Sequence, residues 1–233
     1  MDLNELTSAC YLYNSKTNFD CSYITFLNSI DNSLDLNNSK HRKALLVWLN
    51  SWACRQFIIN YHDFASEQIL EWYENTNSIL PEIDKNIWEL TDNNFKNIKI
   101  LYDTLTNTPV SKKYRNNSEM INHAGPTGAA KILFVLRPKS LILWDIPMRK
   151  YFNQGDSGYA YIQYLKKVNI IIKDLIVQCK NNNFSIEELP EKINRPNSSI
   201  PKLIDEFHWV TITKGWQVPK LNKFIITQNN LEV

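Results

Sequence analysis

Residues 122–149, NHAGPTGAAKILFVLRPKSLILWDIPMR, decide the reading of this chain. The protein has only five glycines in 233 residues, yet Gly125 and Gly128 share one turn immediately before Ala129-Ala130-Lys131-Ile132-Leu133. A glycine there permits positive φ and close backbone approach, and a helix starting at that point carries unpaired N–H groups and a positive dipole end. Such a turn can hold a phosphate, or it can be an ordinary helix–helix corner that binds nothing. Residues 118–136 therefore read as two helices meeting at Gly125-Pro126-Thr127-Gly128. Twenty residues beyond Gly125, Asp145 follows the apolar run Leu141-Ile142-Leu143-Trp144. A carboxylate in that position is costly to bury without a partner, so it suits a helix N-cap, an active-site acid or both, and Pro147 supports a helix start.

The flanking sequence is helical in pattern. From His41 to Ile59 the apolar residues cover more than one face between charged flanks, which predicts a centrally buried helix. Asp63 offers an N-cap to a helix carrying Phe64, Ala65, Ile69, Trp72 and Tyr73, and shorter helical patterns lie around Ile83–Leu90 and Phe95–Leu105. Tyr161, Leu165, Val168, Ile172 and Leu175 form the longest stripe, and a short helix from Pro201 to Phe207 leads into Trp209-Val210-Thr211-Ile212-Thr213, whose alternation reads as strand or extended tail. Aromatics make up 12% of the chain, which with so few glycines suits packed helices better than sandwiches or barrels. The expectation is an all-α, two-lobed helical bundle. Residues 1–40 form an N-terminal extension packing on the core, 41–110 a first lobe and 111–233 a second, with a cleft between helices of about 41–105 and 111–180.

Net charge is only +2, but residues 111–150 hold eight basic side chains against Glu119 and Asp145, a local +6 that leaves −4 for the rest. That distribution is an electrostatic footprint for a polyanion, with Lys112, Lys113 and Arg115 as candidate phosphate contacts. Cys10, Cys21, Cys54 and Cys179 form no C-x-x-C pair, and His41, His62 and His208 show no ligand spacing, so neither zinc, another metal nor a disulfide framework is expected. Without a long apolar stretch or a signal-peptide pattern at Met1–Glu5, the chain reads as soluble, cytoplasmic and free of membrane, and as a monomer needing no cofactor.

The quoted stretch resembles the helix-hairpin-helix DNA glycosylase superfamily, the endonuclease III-like enzymes, over roughly thirty residues. Gly125 matches the second hairpin glycine, Ala129 the alanine that follows, Pro138 the loop proline and Asp145 the catalytic acid. His123 stands where the first hairpin glycine is usual. Thr127 occupies the position of the Schiff-base lysine of bifunctional members, Lys131 lies one helical turn later, and the four-cysteine iron–sulfur loop of some members is absent. The resemblance implies a monofunctional enzyme that flips a base from double-stranded DNA and hydrolyses its N-glycosidic bond, in base-excision repair or in defence against phage DNA carrying modified bases. It implies a catalytic role for Asp145, with His123 assisting proton transfer, and DNA contacts from Gly125, Thr127, Gly128 and Lys131 beside Lys112, Lys113 and Arg115. Trp144, Trp48, Trp52 and Tyr73 are candidate walls of the base pocket. Two other readings stand beside it: a helix-hairpin-helix module that docks DNA without chemistry, Asp145 serving only as a cap, and an N-glycosidase acting on RNA or a free nucleotide.

Overall fold

The computed structural model describes residues 1–115 and 118–219, without the side chains of Tyr114 and Arg115. Helices α1 (Leu3–Lys16), α2 (Phe19–Ser29), α3 (Ser39–Ser51), α4 (His62–Thr76) and α5 (Asp92–Thr106) come first. An antiparallel hairpin, β1 (Pro109–Arg115) and β2 (Ser118–His123), separates them from α6 (Gly125–Leu136), α7 (Ile146–Tyr151), α8 (Gly158–Asn181), α9 (Leu189–Lys192) and α10 (Ile200–His208). The chain is mostly helical, as its composition predicts.

Local chemistry starts these helices. Asp2 accepts the Glu5 N–H at 2.8 Å and the Glu5 carboxylate returns to the Asp2 N–H at 2.9 Å, a capping box that orders α1. Asn38, Ser157 and Ser199 cap α3, α8 and α10 in the same sense. The stripe Tyr161, Leu165, Val168, Ile172 and Leu175 is wholly buried on α8. That helix begins at Gly158 because α5 passes too close for a side chain: a Cβ there would lie 2.7 Å from the Lys99 carbonyl oxygen.

The main hydrophobic cluster runs from Leu3 of α1 to Ile204 of α10, beside a smaller one of Ala9, Tyr13 and Val210. It draws on residues 1–40, 41–110 and 111–233 alike. Residues 1–40 contribute two helices, with Leu6, Ala9, Cys10 and Tyr13 of α1 all buried.

Asp63 lies inside the first turn of α4, whose N-cap is Tyr61 with no side-chain cap, and the 83–90 pattern holds only a 3-10 turn at Ile87–Glu89. Three elements differ more from the sequence expectation. Helix α3 ends at Ser51 rather than near Ile59, because Ala53 adopts φ +62° and the Cys54 N–H turns back to the Leu49 carbonyl at 2.9 Å, a left-handed helix termination. Residues 118–123 form a strand, so the glycine turn is entered from a β-hairpin and not from a first helix. Gly125, at φ +66°, breaks the chain direction there, while Ser111 donates to the Gln56 carbonyl at 2.7 Å and receives the Asn122 amide at 3.0 Å, anchoring the hairpin. Finally, Trp209–Thr213 continues α10 as a wide helical turn, closed by the Lys214 N–H on the Trp209 carbonyl at 3.0 Å, and not as a strand.

Candidate functional site

Asp145 caps α7. Its Oδ1 accepts the Met148 N–H at 3.1 Å, with Pro147 in the first helical turn where a missing N–H does no harm. The buried run Leu141–Trp144 leads to it through the core, and Trp144 is held by stacking on Tyr164, ring centroids 4.2 Å apart. Arg149, one turn into α7, donates to the Trp144 carbonyl at 3.1 Å and to the Thr127 hydroxyl at 3.3 Å, which ties the start of α6 to the start of α7.

In front of Asp145 lies a cavity of about 190 Å³. Tyr13 from α1, Phe19 from α2, Trp52 from the end of α3, Trp144 and Trp209 form its aromatic walls, and its polar groups are Asp145, Lys131 and Asp205. Its size is below that of drug-sized ligand sites and suits one small ring system. An outer groove of about 400 Å³, flanked by Lys16, Lys214 and Trp216, shares the Phe19 and Trp209 walls with it. A larger cavity of about 480 Å³ elsewhere has Lys139 and Glu187, both exposed, as its charged lining residues.

Glycine geometry brings Lys131 to this cavity. A Cβ on Gly128 would sit 2.9 Å from the Gln56 amide nitrogen and 3.0 Å from the Phe57 ring, so only glycine lets α6 pack so closely on the segment after α3. Lys131, three residues on, then donates its Nζ to the Trp52 carbonyl and lies 5.5 Å from the Trp52 ring centroid. That carbonyl belongs to the last turn of α3, whose abrupt left-handed end leaves it without a helical partner.

Burial pushes the Asp145 carboxyl above its ordinary value, opposed by the Met148 N–H and by the charges of Lys131 and Arg149. Asp205 is pushed up to about 7, again chiefly by burial, with Lys202 and Lys131 pulling down and Asp145 and Glu206 adding to the rise. Burial lowers His208 to about 4, so its ring is neutral at physiological pH; its Nδ1 shares a hydrogen bond with the Tyr164 hydroxyl at 3.0 Å. Among the described residues no group of three His, Cys, Asp or Glu side chains is arranged to hold a metal.

Of the residues singled out in the sequence, Asp145, Trp144, Trp52 and Lys131 meet at this cavity. Lys131 arrives in a different role from the one expected, because its amine is buried and turned inward and does not present itself to a backbone phosphate. His123 is exposed at the end of β2 and does not line the cavity. Trp48 is core, stacked on Phe26 at 5.1 Å, and Tyr73 is half-buried on α4 away from the cavity lining. Gly125 supplies positive φ, Gly128 supplies close packing, and Thr127 accepts from Arg149. Lys112 pairs with Glu119 at 3.0 Å across the hairpin, Lys113 is exposed, and the Arg115 side chain lies outside the described residues.

Asp205, Tyr13, Phe19 and Trp209 escaped the sequence reading. For Asp205 a signal was present: an acid set between Leu203-Ile204 and Phe207 in a short helix is the same kind of misfit that marked Asp145. Among the described residues, no helix is long and apolar enough to cross a membrane. Comparison with protein-family models, with curated proteins and with solved structures finds no match.

Proposed function

We propose that the protein is a monofunctional DNA N-glycosylase that draws a damaged or modified base out of the duplex, hydrolyses its N-glycosidic bond and leaves an unbroken abasic strand. The observation that carries this reading is Asp145 standing at a helix start, before a cavity with aromatic walls and one buried lysine. Cleaving an N-glycosidic bond develops oxocarbenium charge on the sugar, and an ionised carboxylate at that point stabilises it or orients the attacking water. Lys131 favours the ionised form of Asp145, while Trp52, Phe19 and Trp209 offer apolar faces to a base that has lost its stacking in the duplex. Strand cleavage through an imine requires an amine free to attack the sugar. Thr127 has none, and Lys131 is held on the Trp52 carbonyl.

A β-hairpin stands where the resemblance would have its first helix. DNA binding on this reading rests on the cationic hairpin that carries Lys112 and Lys113. The test is digestion of duplexes holding alkylated, deaminated and bulky modified bases, with mass spectrometry of released bases and counting of abasic sites. Release of a base by the wild type and its loss in Asp145→Asn supports the reading. Duplex binding without release makes Asp145 only a helix cap, and release from RNA or nucleotides alone moves the activity to another substrate.

A further inference from the structure

The cavity holds a second carboxylate for which the fold has no evident use. Asp205 lies on α10, 9% exposed, and lines the same space as Asp145 and Lys131. Among the described residues no hydrogen bond or ion pair reaches its carboxylate, and the cavity it lines is walled chiefly by aromatic side chains. Its neighbours Lys202 and Glu206 pair with each other at 2.7 Å, and Lys202 also reaches Asp20 at 3.4 Å, while Arg195 joins Glu206 at 2.5 Å. Those two cations are thus taken up by Asp20 and Glu206. A buried acid without a partner is destabilising and is kept in a fold where something else needs it.

We infer that Asp205 is a second catalytic carboxyl group, which donates a proton to the leaving base while Asp145 acts on the sugar and its water. The inference rests on the N-glycosylase reading and adds the acid that a neutral leaving group needs. In the step, the bond from C1′ to the base nitrogen breaks and its electron pair goes to the base, which takes the Asp205 proton. Water forms the new bond to C1′ and gives a proton to Asp145, and solvent returns one proton from Asp145 to Asp205. The sum is substrate plus water giving abasic sugar plus free base. A site of this kind works with one carboxyl protonated and the other ionised, and the two environments separate them. Burial and the negative charges of Asp145 and Glu206 keep the proton on Asp205 up to about pH 7, against Lys131 from α6 and Lys202 from α10. Tyr13 from α1 and Tyr164 from α8 also face Asp205, and burial holds both phenols neutral.

The experiment is the pH profile of base release by wild type and Asp205→Asn, on whichever duplex of the panel reacts fastest, beside a carboxyl-carbon NMR titration of the free wild-type protein. The wild-type rate should fall as pH rises through about 7, with one carboxyl resonance titrating in the same range. Asp205→Asn should lose that limb and react about 10²- to 10³-fold more slowly at pH 6, with duplex affinity unchanged. An active wild type whose profile and rate survive the substitution overturns the proposal and leaves the glycosylase reading intact. So does a titration that shows every buried carboxyl ionised by pH 5, a result independent of whether the variant folds. A wild type that releases no base from any duplex removes the glycosylase reading and this step with it.

Discussion

Replacing Asp205 by Asn should make the protein more stable, and increasingly so as pH rises. An unfolded carboxyl titrates near 3.8, whereas in the fold Asp205 holds its proton to about 7, chiefly because burial disfavours its charged form. The folded state therefore binds more protons than the unfolded one between those values, and stability falls as pH rises through that window. At about 1.4 kcal/mol per pH unit, the interval corresponds to about 4 kcal/mol. Asparagine keeps the size of the side chain and never ionises, so its advantage over wild type should be small at pH 4 and grow towards about 4 kcal/mol at pH 8. Urea unfolding of both proteins at pH 4, 6 and 8 measures this, and the difference between them removes the titration of every other group. A pH-independent difference would mean that Asp205 is ionised in the fold with a partner, and the reasoning about its proton would be wrong. Stability gained where activity is lost is what a strained active-site group produces.

Four further outcomes follow from the same geometry. Asp145→Asn should lose base release by at least about 10²-fold while its unfolding free energy stays within about 1 kcal/mol of wild type, since asparagine caps a helix nearly as well as aspartate; near-normal release would return Asp145 to a cap. Borohydride treatment during turnover should trap no covalent protein–DNA adduct, and an adduct lost in Lys131→Met would show that the buried amine attacks the sugar after all. Joint replacement of Lys112, Lys113 and Arg115 by alanine should weaken duplex binding and flatten its dependence on salt, measured by fluorescence anisotropy across a salt series; an unchanged slope would make the hairpin cations ordinary surface. Gly128→Ala should destabilise by about 1–3 kcal/mol in thermal or urea melts because its methyl group meets Gln56 and Phe57, and a neutral effect would show that α6 can shift away from the α3 end.

What could be read in the sequence was whatever depends on one element at a time. The α8 stripe followed from spacing alone, and Asp145 from an acid after an apolar run with proline two residues on. The β2 strand did not, because six residues with Met120 and Ile121 exposed carry no burial pattern, and what fixes them is pairing with β1 and the anchor of Ser111 on Gln56. The end of α3 was equally hidden, since Ala53 is a good helix former and takes φ +62° only because the chain must turn back there. Lys131 was read as a surface cation for want of that same fact: its partner is a carbonyl 79 residues away in sequence, exposed by a helix end that propensity does not predict. The cavity shares this property, being assembled from α1, α2, the α3 end, α6, the α7 cap and α10.

Charge bookkeeping in this interior explains why a proton belongs at the site. Lys202 and Arg195 face Asp20 and Glu206, two cations with two acids, and Lys131 faces Asp145, one with one. Arg149 stands further out, half-buried and engaged with the Trp144 carbonyl and Thr127. Asp205 is then the acid left over. An uncompensated charge in such a place is far more costly than a protonated carboxyl, so the fold retains one proton near neutral pH rather than recruiting another cation. That proton lies on the wall of the cavity that Asp145 and the aromatic side chains also line, with no hydrogen-bond partner for the carboxyl among the described residues. On the proposed N-glycosylase reading, a base held in this cavity would take that proton, so the same residue should set both the pH dependence of stability and the alkaline limb of base release.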